Sequence, residues 1–174
     1  MKRALALLPL ALFAGLLAIL AWYNFHKKER FEPMAMVGHS VPALAITDLD
    51  TGGTASLKAL AASYNHPILV NVFASWCTPC VAENPTLMAL KSKGVVMIGV
   101  AWKDDPQNTL RFLAAHDNPY VKTLSDPDGK MGLDLGISGV PETYVVSPDG
   151  TITHKVPGPI LPETVDEIEA ALKK

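Results

Sequence analysis

Residue types that build common metal sites are scarce in this sequence. Only two cysteines occur among 174 residues, so no second cysteine pair exists to complete a zinc site of four ligands. Five histidines are present, but they are scattered without the spacing of metal ligands. They are His26, His39, His66, His116 and His154. The sequence therefore predicts neither a metal nor a bound cofactor.

Runs of basic residues are also missing. From residue 35 onward the chain carries 10 basic and 15 acidic residues, a net charge of −5. Because nucleic-acid binding depends on a basic patch or stripe, this balance excludes nucleic acid as a partner. Internal repeats and low-complexity tracts are absent too, so residues 41–174 are predicted to form one domain.

Charged residues are absent from most of the first two dozen positions. The uncharged run from Ala4 to Trp22 is about 19 residues long, and as a helix it nearly matches a hydrocarbon core of roughly 30 Å. Trp22 and Tyr23 end the run, where amphipathic rings suit the lipid–water boundary. The sequence predicts a transmembrane anchor over residues 1–23 and a juxtamembrane linker over 24–40.

A cleaved signal peptide is the alternative interpretation of this segment. Lys2 and Arg3 suit it, but the apolar region of a signal peptide is roughly 7–15 residues long and ends in a small-x-small site. Here the run is longer and ends in Ala21-Trp22-Tyr23-Asn24. Basic residues flank both ends, so the positive-inside rule does not decide the orientation. Under either interpretation the remainder of the chain is translocated to the other side of a membrane.

After residue 40 the hydrophobic pattern alternates between strands and helices. Strands are predicted over residues 41–46, 54–56, 68–74, 95–102, briefly after residue 120, and over 142–147 and 151–156. Helices are predicted over 57–63, 78–91, 106–116, as one turn after residue 129, and over 162–174. This order predicts an α/β domain with a mixed central sheet covered by helices on both faces.

The two cysteines lie where a buried strand gives way to a helix, in the run Trp76-Cys77-Thr78-Pro79-Cys80. Unpaired N–H groups and the macrodipole at a helix start stabilise an anion, so a thiolate at Cys77 is favoured. Cys80 lies one turn into the helix, close enough to form a disulfide with Cys77. Attack by Cys77 on a substrate disulfide gives a mixed disulfide, which Cys80 resolves. The pattern therefore indicates thiol–disulfide exchange.

Other uses of the cysteine pair remain open from the residues alone. A structural disulfide is possible outside the cytosol, but a bridge over two intervening residues closes a very small loop and stabilises little. A copper-delivery site needs a different cysteine spacing and a placed histidine. A peroxidase site carries Thr or Ser three residues before the reactive cysteine, and that position here is Ala74.

The run ILVNVFASWCTPC resembles the thioredoxin superfamily, as does Pro85 in the following helix. A closer resemblance is to the cytochrome c biogenesis thiol:disulfide interchange proteins of the CcmG/DsbE type. Shared features are the N-terminal anchor, WCTPC followed by Glu83, GVAWKDD, the segment 117–120 (DNPY) and GVPETY. Beyond the anchor, the resemblance covers about residues 37–160. The resemblance implies a thioredoxin-like fold and a cis Val140–Pro141 bond beside the Cys77 sulfur. It also implies that Trp76 covers the dithiol.

The resemblance also implies a cellular role. The expected protein is a reductant in cytochrome c maturation, with one helix in the bacterial inner membrane and its catalytic domain in the periplasm. It would reduce the haem-binding cysteines of apocytochrome c or act on haem-ligation components, and a DsbD-type membrane reductase would recharge it. The alternatives are a general extracytoplasmic reductase or oxidase, and a peptide-binding module of a maturation complex.

One departure from thioredoxin concerns proton transfer. Six residues before the first cysteine, thioredoxin carries a buried aspartate, and this chain has Asn71, which cannot titrate. Glu83 and Glu142 are the candidate substitutes, and the hypothesis is that one or both lie near the thiols and accept the proton of Cys80. Their charge would raise the pKa of the thiols and make the pair a better reductant. The alternative is that both are solvated surface carboxylates.

Overall fold

The computed structural model describes residues 2–26, 34 and 36–173. The chain divides into two compact units, residues 1–32 and 33–174. In its described part the first unit is one helix, α1 (Lys2–His26), and its large apolar side chains between Leu12 and Tyr23 are exposed. A helix combining the length and apolarity needed to cross a membrane is not found among the described residues. Eight residues of the predicted linker, 27–33 and 35, lie outside them.

The second unit alternates strands and helices. Its strands are β1 (Ala45–Asp48), β2 (Thr54–Ser56), β3 (Ile68–Phe73), β4 (Met97–Trp102), β5 (Lys122–Asp126), β6 (Glu142–Val146) and β7 (Ile152–Pro157). Its helices are α2 (Leu57–Ala62), α3 (Thr78–Ser92), α4 (Pro106–Ala115), α5 (Lys130–Asp134) and α6 (Val165–Ala171), and a 3-10 turn (Pro162–Thr164) precedes α6.

The seven strands form one mixed sheet in the order β2-β1-β5-β4-β3-β6-β7. Strands β3, β4 and β5 are parallel, and the pairs β3–β6, β6–β7, β1–β5 and β1–β2 are antiparallel. Parallel strands need crossover connections, which α3 supplies between β3 and β4 and α4 between β4 and β5. The predicted α/β class and mixed sheet are confirmed.

The sheet carries a separate apolar core on each face, because successive side chains of a strand point to opposite sides. The dithiol face is defined here as the core that contains Leu69, Phe73 and the buried side of α3, together with residues of α4 and α6. The distal face is the core that contains Val70, Val72 and residues of α2 and α5. Both faces need apolar partners, which explains why β3 is buried along its whole length.

The structure differs from the predicted elements mainly at the two ends of the domain. The strand predicted over residues 41–46 begins only at Ala45, and Val41 instead donates its N–H to the Gly150 carbonyl at 2.8 Å. Pro42 has no N–H to offer a sheet, which limits pairing there. The helix predicted from residue 162 starts as the 3-10 turn, and its α-helical part covers only 165–171.

Candidate active site

Cys77 and Cys80 form a disulfide at the start of α3, with their Cα atoms 5.3 Å apart. Cys77 is the N-cap residue, and its sulfur accepts a hydrogen bond from the Cys80 N–H at 3.2 Å. Pro79 occupies the first turn, where a missing N–H costs little. Both cysteines are buried, at 4% and 3% exposure. In the reduced protein the helix start stabilises a thiolate at Cys77.

The loop before Cys77 is held by the residues that follow β4. Buried Asp104 accepts hydrogen bonds from the Ser75 N–H at 2.7 Å and the Ser75 hydroxyl at 2.8 Å. The Trp76 indole N–H donates to the Lys103 carbonyl at 3.2 Å, and its ring is tilted against Trp102. The Trp76 ring remains 58% exposed, so it presents an apolar surface next to the cysteines in the chain. A covering role for Trp76 stays a prediction.

Pro141 lies at the same end of the sheet as the disulfide. The Val140–Pro141 peptide bond is cis, which is the isomer that the resemblance implies. Pro141 directly precedes β6, whose first residue, Glu142, pairs with Val72 near the end of β3. Because β3 leads through Phe73 into the loop that carries Cys77, this register brings the Pro141 loop and the disulfide to one edge of the sheet.

Asn71 is the centre of a buried polar network on the dithiol face. It lies in the middle of β3 and is fully buried. Its side-chain N–H2 group donates to Glu83 Oε1 at 3.1 Å and to the Thr143 hydroxyl at 2.9 Å. Its carbonyl oxygen accepts a hydrogen bond from the Tyr120 hydroxyl at 2.5 Å. The position that holds a titrating aspartate in thioredoxin therefore holds an amide that links two titratable side chains.

Glu83 is a buried carboxyl, not a solvated one. It lies three residues after Cys80 on α3, so the two side chains share one face of the helix. Burial raises the pKa of Glu83 to about 7, against the lowering effect of hydrogen bonds from the Ile160 N–H and the Asn71 amide. The Ile160 N–H lies 2.9 Å from Glu83 Oε2. A group that titrates near neutral pH suits proton transfer.

Glu142 is directed away from the dithiol, and the hypothesis that it lies beside the thiols is wrong. Side chains alternate along β6, so Thr143 reaches the dithiol face while Glu142 and Tyr144 point to the distal face. There Glu142 is buried and forms an ion pair with Lys155 at 2.8 Å. It also accepts hydrogen bonds from the Ser138 N–H at 3.1 Å and the Tyr144 hydroxyl at 3.0 Å. Glu142 thus fixes the loop before Pro141.

Three contributors to the site were not identified from the sequence. They are Asp104, which holds the loop before Cys77, Tyr120, which donates to Asn71, and the buried cation Lys155, which pairs with Glu142. In the structure Lys155 is the one charged residue at a buried position of β7. In the part of the chain that the structure describes, no group of three or more His, Cys, Asp or Glu is arranged to hold a metal ion.

A disulfide at the start of a helix, next to a cis-proline loop and on a mixed sheet, defines a thioredoxin-like thiol:disulfide oxidoreductase. Residues 36–172 match the family model described as Redoxin. The chain is 35% identical over 171 residues to the thiol:disulfide interchange protein DsbE of Escherichia coli K12, covering 96% of this chain and 92% of the relative. It is also 36% identical over 165 residues to the thiol:disulfide interchange protein HelX of Rhodobacter capsulatus, covering 95% of this chain and 93% of that relative.

A solved structure shows the same fold. A secreted Mycobacterium tuberculosis disulfide oxidoreductase, described as homologous to E. coli DsbE, superposes with a TM-score of 0.59. Its sequence identity is 22%, and the match covers 75% of this chain and 95% of that one. The chain belongs to the Redoxin family, and within it to the DsbE/HelX thiol:disulfide interchange proteins.

Proposed function

We propose that this protein is a reductant in cytochrome c maturation that reduces the disulfide between the haem-binding cysteines of apocytochrome c, or of its carrier. The observation that carries the proposal is buried Glu83, one helical turn after Cys80 and titrating near neutral pH. A carboxyl in this position accepts the proton of Cys80 during exchange and, when charged, disfavours a second anion nearby. A less stabilised thiolate makes the dithiol a stronger reductant.

The exchange begins with the Cys77 thiolate. It attacks one sulfur of the substrate disulfide, so that a bond forms between Cys77 and the substrate while the other substrate sulfur leaves as a thiolate. Cys80 then gives its proton to Glu83 and attacks the Cys77 sulfur. The Cys77–Cys80 disulfide forms, the second substrate thiol is released, and two electrons have passed to the substrate. No bound cofactor is needed for this chemistry.

The oxidised protein must be reduced again before it can act a second time. We assign this step to a membrane reductase of the DsbD type, which would attack the Cys77–Cys80 disulfide and leave oxidised itself. Exposed Trp76 and the Pro141 loop border the disulfide and supply the surface on which such a partner or an extended substrate peptide would dock.

The reduction potential of the Cys77–Cys80 pair in the full chain tests the direction of electron flow. A potential below roughly −200 mV is expected for a reductant. A potential near the roughly −120 mV of a strong oxidant would mean that the protein forms disulfides, and the maturation role would be rejected.

Trapping of a mixed disulfide tests the substrate class. The Cys80→Ala variant, mixed with an oxidised peptide of the haem-attachment pattern C-x-x-C-H, is expected to accumulate a covalent adduct through Cys77. The Cys77→Ala/Cys80→Ala double variant is the control and should form none. If the double variant still supported cytochrome c maturation in cells, the domain would be a peptide-binding module rather than a reductase.

The proposed location rests on the N-terminal segment. We assign residues 1–23 to a single anchor in the bacterial inner membrane, residues 24–40 to a linker and residues 41–174 to a catalytic domain in the periplasm. The uncharged run up to Trp22 and the exposed apolar side chains of α1 support a lipid environment for this helix.

A further inference from the structure

The segment before Tyr120 is attached to the helix that carries the dithiol. Asn84, in α3, donates its side-chain N–H2 group to the carbonyls of His116 and Asp117. Asn118 accepts the Tyr120 N–H on its side-chain oxygen at 2.9 Å. The position of Tyr120 is therefore tied to α3 through hydrogen bonds.

The Tyr120 ring lies flat over a strand position that has no side chain. A Cβ at Gly99, in β4, would lie 2.6–2.8 Å from three atoms of the ring, so any side chain there would displace the ring. On another side the ring stacks on Phe73, with centroids 4.9 Å apart. These contacts direct the hydroxyl to the Asn71 carbonyl oxygen.

That hydroxyl favours one orientation of the Asn71 amide. A tyrosine hydroxyl can donate or accept, and here it donates to the amide oxygen, which leaves the N–H2 group for Glu83 and Thr143. The donated bond also polarises the amide and strengthens its N–H2 donors. Without that donor, the opposite orientation would direct the amide oxygen at the Glu83 carboxyl and remove a donor from its charged form.

We propose that Tyr120 is a positioning residue for proton transfer at Cys80. Its hydroxyl holds the Asn71 amide so that the amide donates to the Glu83 carboxylate while that carboxylate is charged and able to accept the Cys80 proton. The proposal rests on the proton-acceptor role of Glu83 in the proposed function. Tyr120 remains a donor throughout, because burial and the charge of Glu83 raise its pKa well above 10.

Three neighbouring parts of the fold contribute further groups to this network: α3, β6 and the segment around Ile160. On α3 the titrating neighbours are Cys77 and Cys80 once the disulfide is reduced. From β6 only the neutral Thr143 reaches Asn71, since Glu142 and its partner Lys155 lie on the distal face. The segment around Ile160 contributes a backbone N–H.

The test is the pH dependence of the step in which Cys80 resolves a mixed disulfide, measured on the full chain with and without Tyr120→Phe. The substitution removes one oxygen and keeps the ring. Loss of the oriented amide donor raises the midpoint of the profile by about 0.5 pH unit. The rate at pH 6 is then expected to fall about threefold, whereas the rates at pH 9 converge. An unchanged profile, or an equal loss at every pH, would overturn the proposal.

Tyr144→Phe is the matched control. Tyr144 is also a buried tyrosine with a hydrogen-bonded hydroxyl, but its partners are Glu142 and the Leu135 carbonyl on the distal face. Its removal is expected to leave the midpoint in place, whatever it does to stability. A shift equal to that of Tyr120→Phe would mean that the effect is structural and would reject the positioning role.

Glu83→Gln distinguishes a failure of the proton-acceptor role of Glu83 from a failure of the positioning role of Tyr120. If Glu83→Gln leaves the profile unchanged, the proton-acceptor role fails and the role of Tyr120 fails with it. If Glu83→Gln removes the titration and Tyr120→Phe changes nothing, only the role of Tyr120 is rejected. In the Glu83→Gln background, Tyr120→Phe should produce no further shift.

A wild-type measurement covers the case in which Tyr120→Phe does not fold. The Asn71 side-chain amide resonances should titrate with the same midpoint as the Glu83 carboxyl, and the Tyr120 ring carbon that bears the hydroxyl should follow. Asn71 or Tyr120 resonances that ignore the Glu83 titration would overturn the proposal.

Discussion

Glu83 makes the stability of the oxidised protein depend on pH. Its folded pKa of about 7 lies above the ordinary glutamate value of 4.5, so the native state binds more protons between these two values. The unfolding free energy therefore falls as pH rises through this window, by about 3 kcal/mol in total. Glu83→Gln is expected to abolish the fall, as measured by urea unfolding at pH 5 and pH 8.

Glu169, a partly exposed carboxyl, supplies the control for this measurement. It forms an ion pair with Lys93 at the surface, so Glu169→Gln should keep the wild-type loss of stability between pH 5 and pH 8. If Glu83→Gln kept that loss as well, the burial of a charged carboxylate would not be its origin.

Gly99 is the second residue whose substitution has a defined outcome. Gly99→Ala pushes a methyl group into the Tyr120 ring, and overpacking of this kind destabilises by about 1–3 kcal/mol. Gly139→Ala is the control, since nothing lies within 4 Å of its added Cβ and its φ is not positive. Thermal unfolding distinguishes the two, and equal losses of stability would contradict the close packing of Tyr120 on β4.

Site residues that are neighbours in the chain could be predicted from the sequence. Site residues that strand geometry brings together could not. Cys77 and Cys80 are recognisable because they are close in sequence at a strand–helix junction. Glu142 adjoins Pro141 in sequence, yet the alternation of β6 turns its carboxyl to the other face. The sequence shows that Asn71 cannot titrate, but its contact with Tyr120, 49 residues further along the chain, arises only in the folded sheet.

At the scale of elements, the end of β4 carries two adjacent carboxylates with different roles. Asp104 binds the Ser75 backbone and hydroxyl and the Thr109 hydroxyl, whereas Asp105 caps α4 through the N–H groups of Gln107 and Asn108. Only the hydrogen bonds between Asp104 and Ser75 reach the loop that carries Cys77.

Asp104→Ala is therefore expected to alter exchange as well as stability. It leaves the partly buried Ser75 N–H and the buried Thr109 hydroxyl without an acceptor and should cost about 1–3 kcal/mol, while loosening the backbone before Cys77. Asp105→Ala loses a cap and should cost about 0.5–2 kcal/mol without changing the rate at which dithiothreitol reduces the disulfide. Equal reduction rates for both variants would show that the Asp104 contact does not position the dithiol.

Element positions were predictable where the pattern was long and uniform. Strand β3 and helix α3 differ from their predicted bounds by one residue each at the C-terminal end, because an apolar β-branched run and a capped helix leave few alternatives. The ends of the domain were less predictable. The apolar residues before β1 are bonded to the loop at Gly150, a long-range contact that no local pattern encodes.

At the scale of the whole molecule, the proposed anchor has a direct test. The full chain is expected in the membrane fraction, resistant to alkaline wash and with its N-terminus intact by mass spectrometry. Leu16→Arg combined with Leu17→Arg should release it, because each central arginine costs about 2.5–3.5 kcal/mol in an inserted helix.

A matched pair of arginines can be placed in the catalytic domain. Leu110→Arg with Leu133→Arg adds the same charge at exposed positions of the domain and should leave the protein in the membrane fraction. A soluble wild-type protein with a shortened N-terminus would instead identify residues 1–23 as a cleaved signal peptide.

The burial of both cysteines has a consequence for selectivity among electron carriers. A small oxidant or free thiol that meets the protein by random collision finds 4% and 3% of these residues accessible. A partner that covers Trp76 and the Pro141 loop can deliver a sulfur atom along a fixed approach. In the proposed role this burial would insulate the dithiol kinetically. In a compartment that favours disulfides, its reducing equivalents would persist until a fitting partner arrives, even though equilibrium with the surroundings would oxidise them.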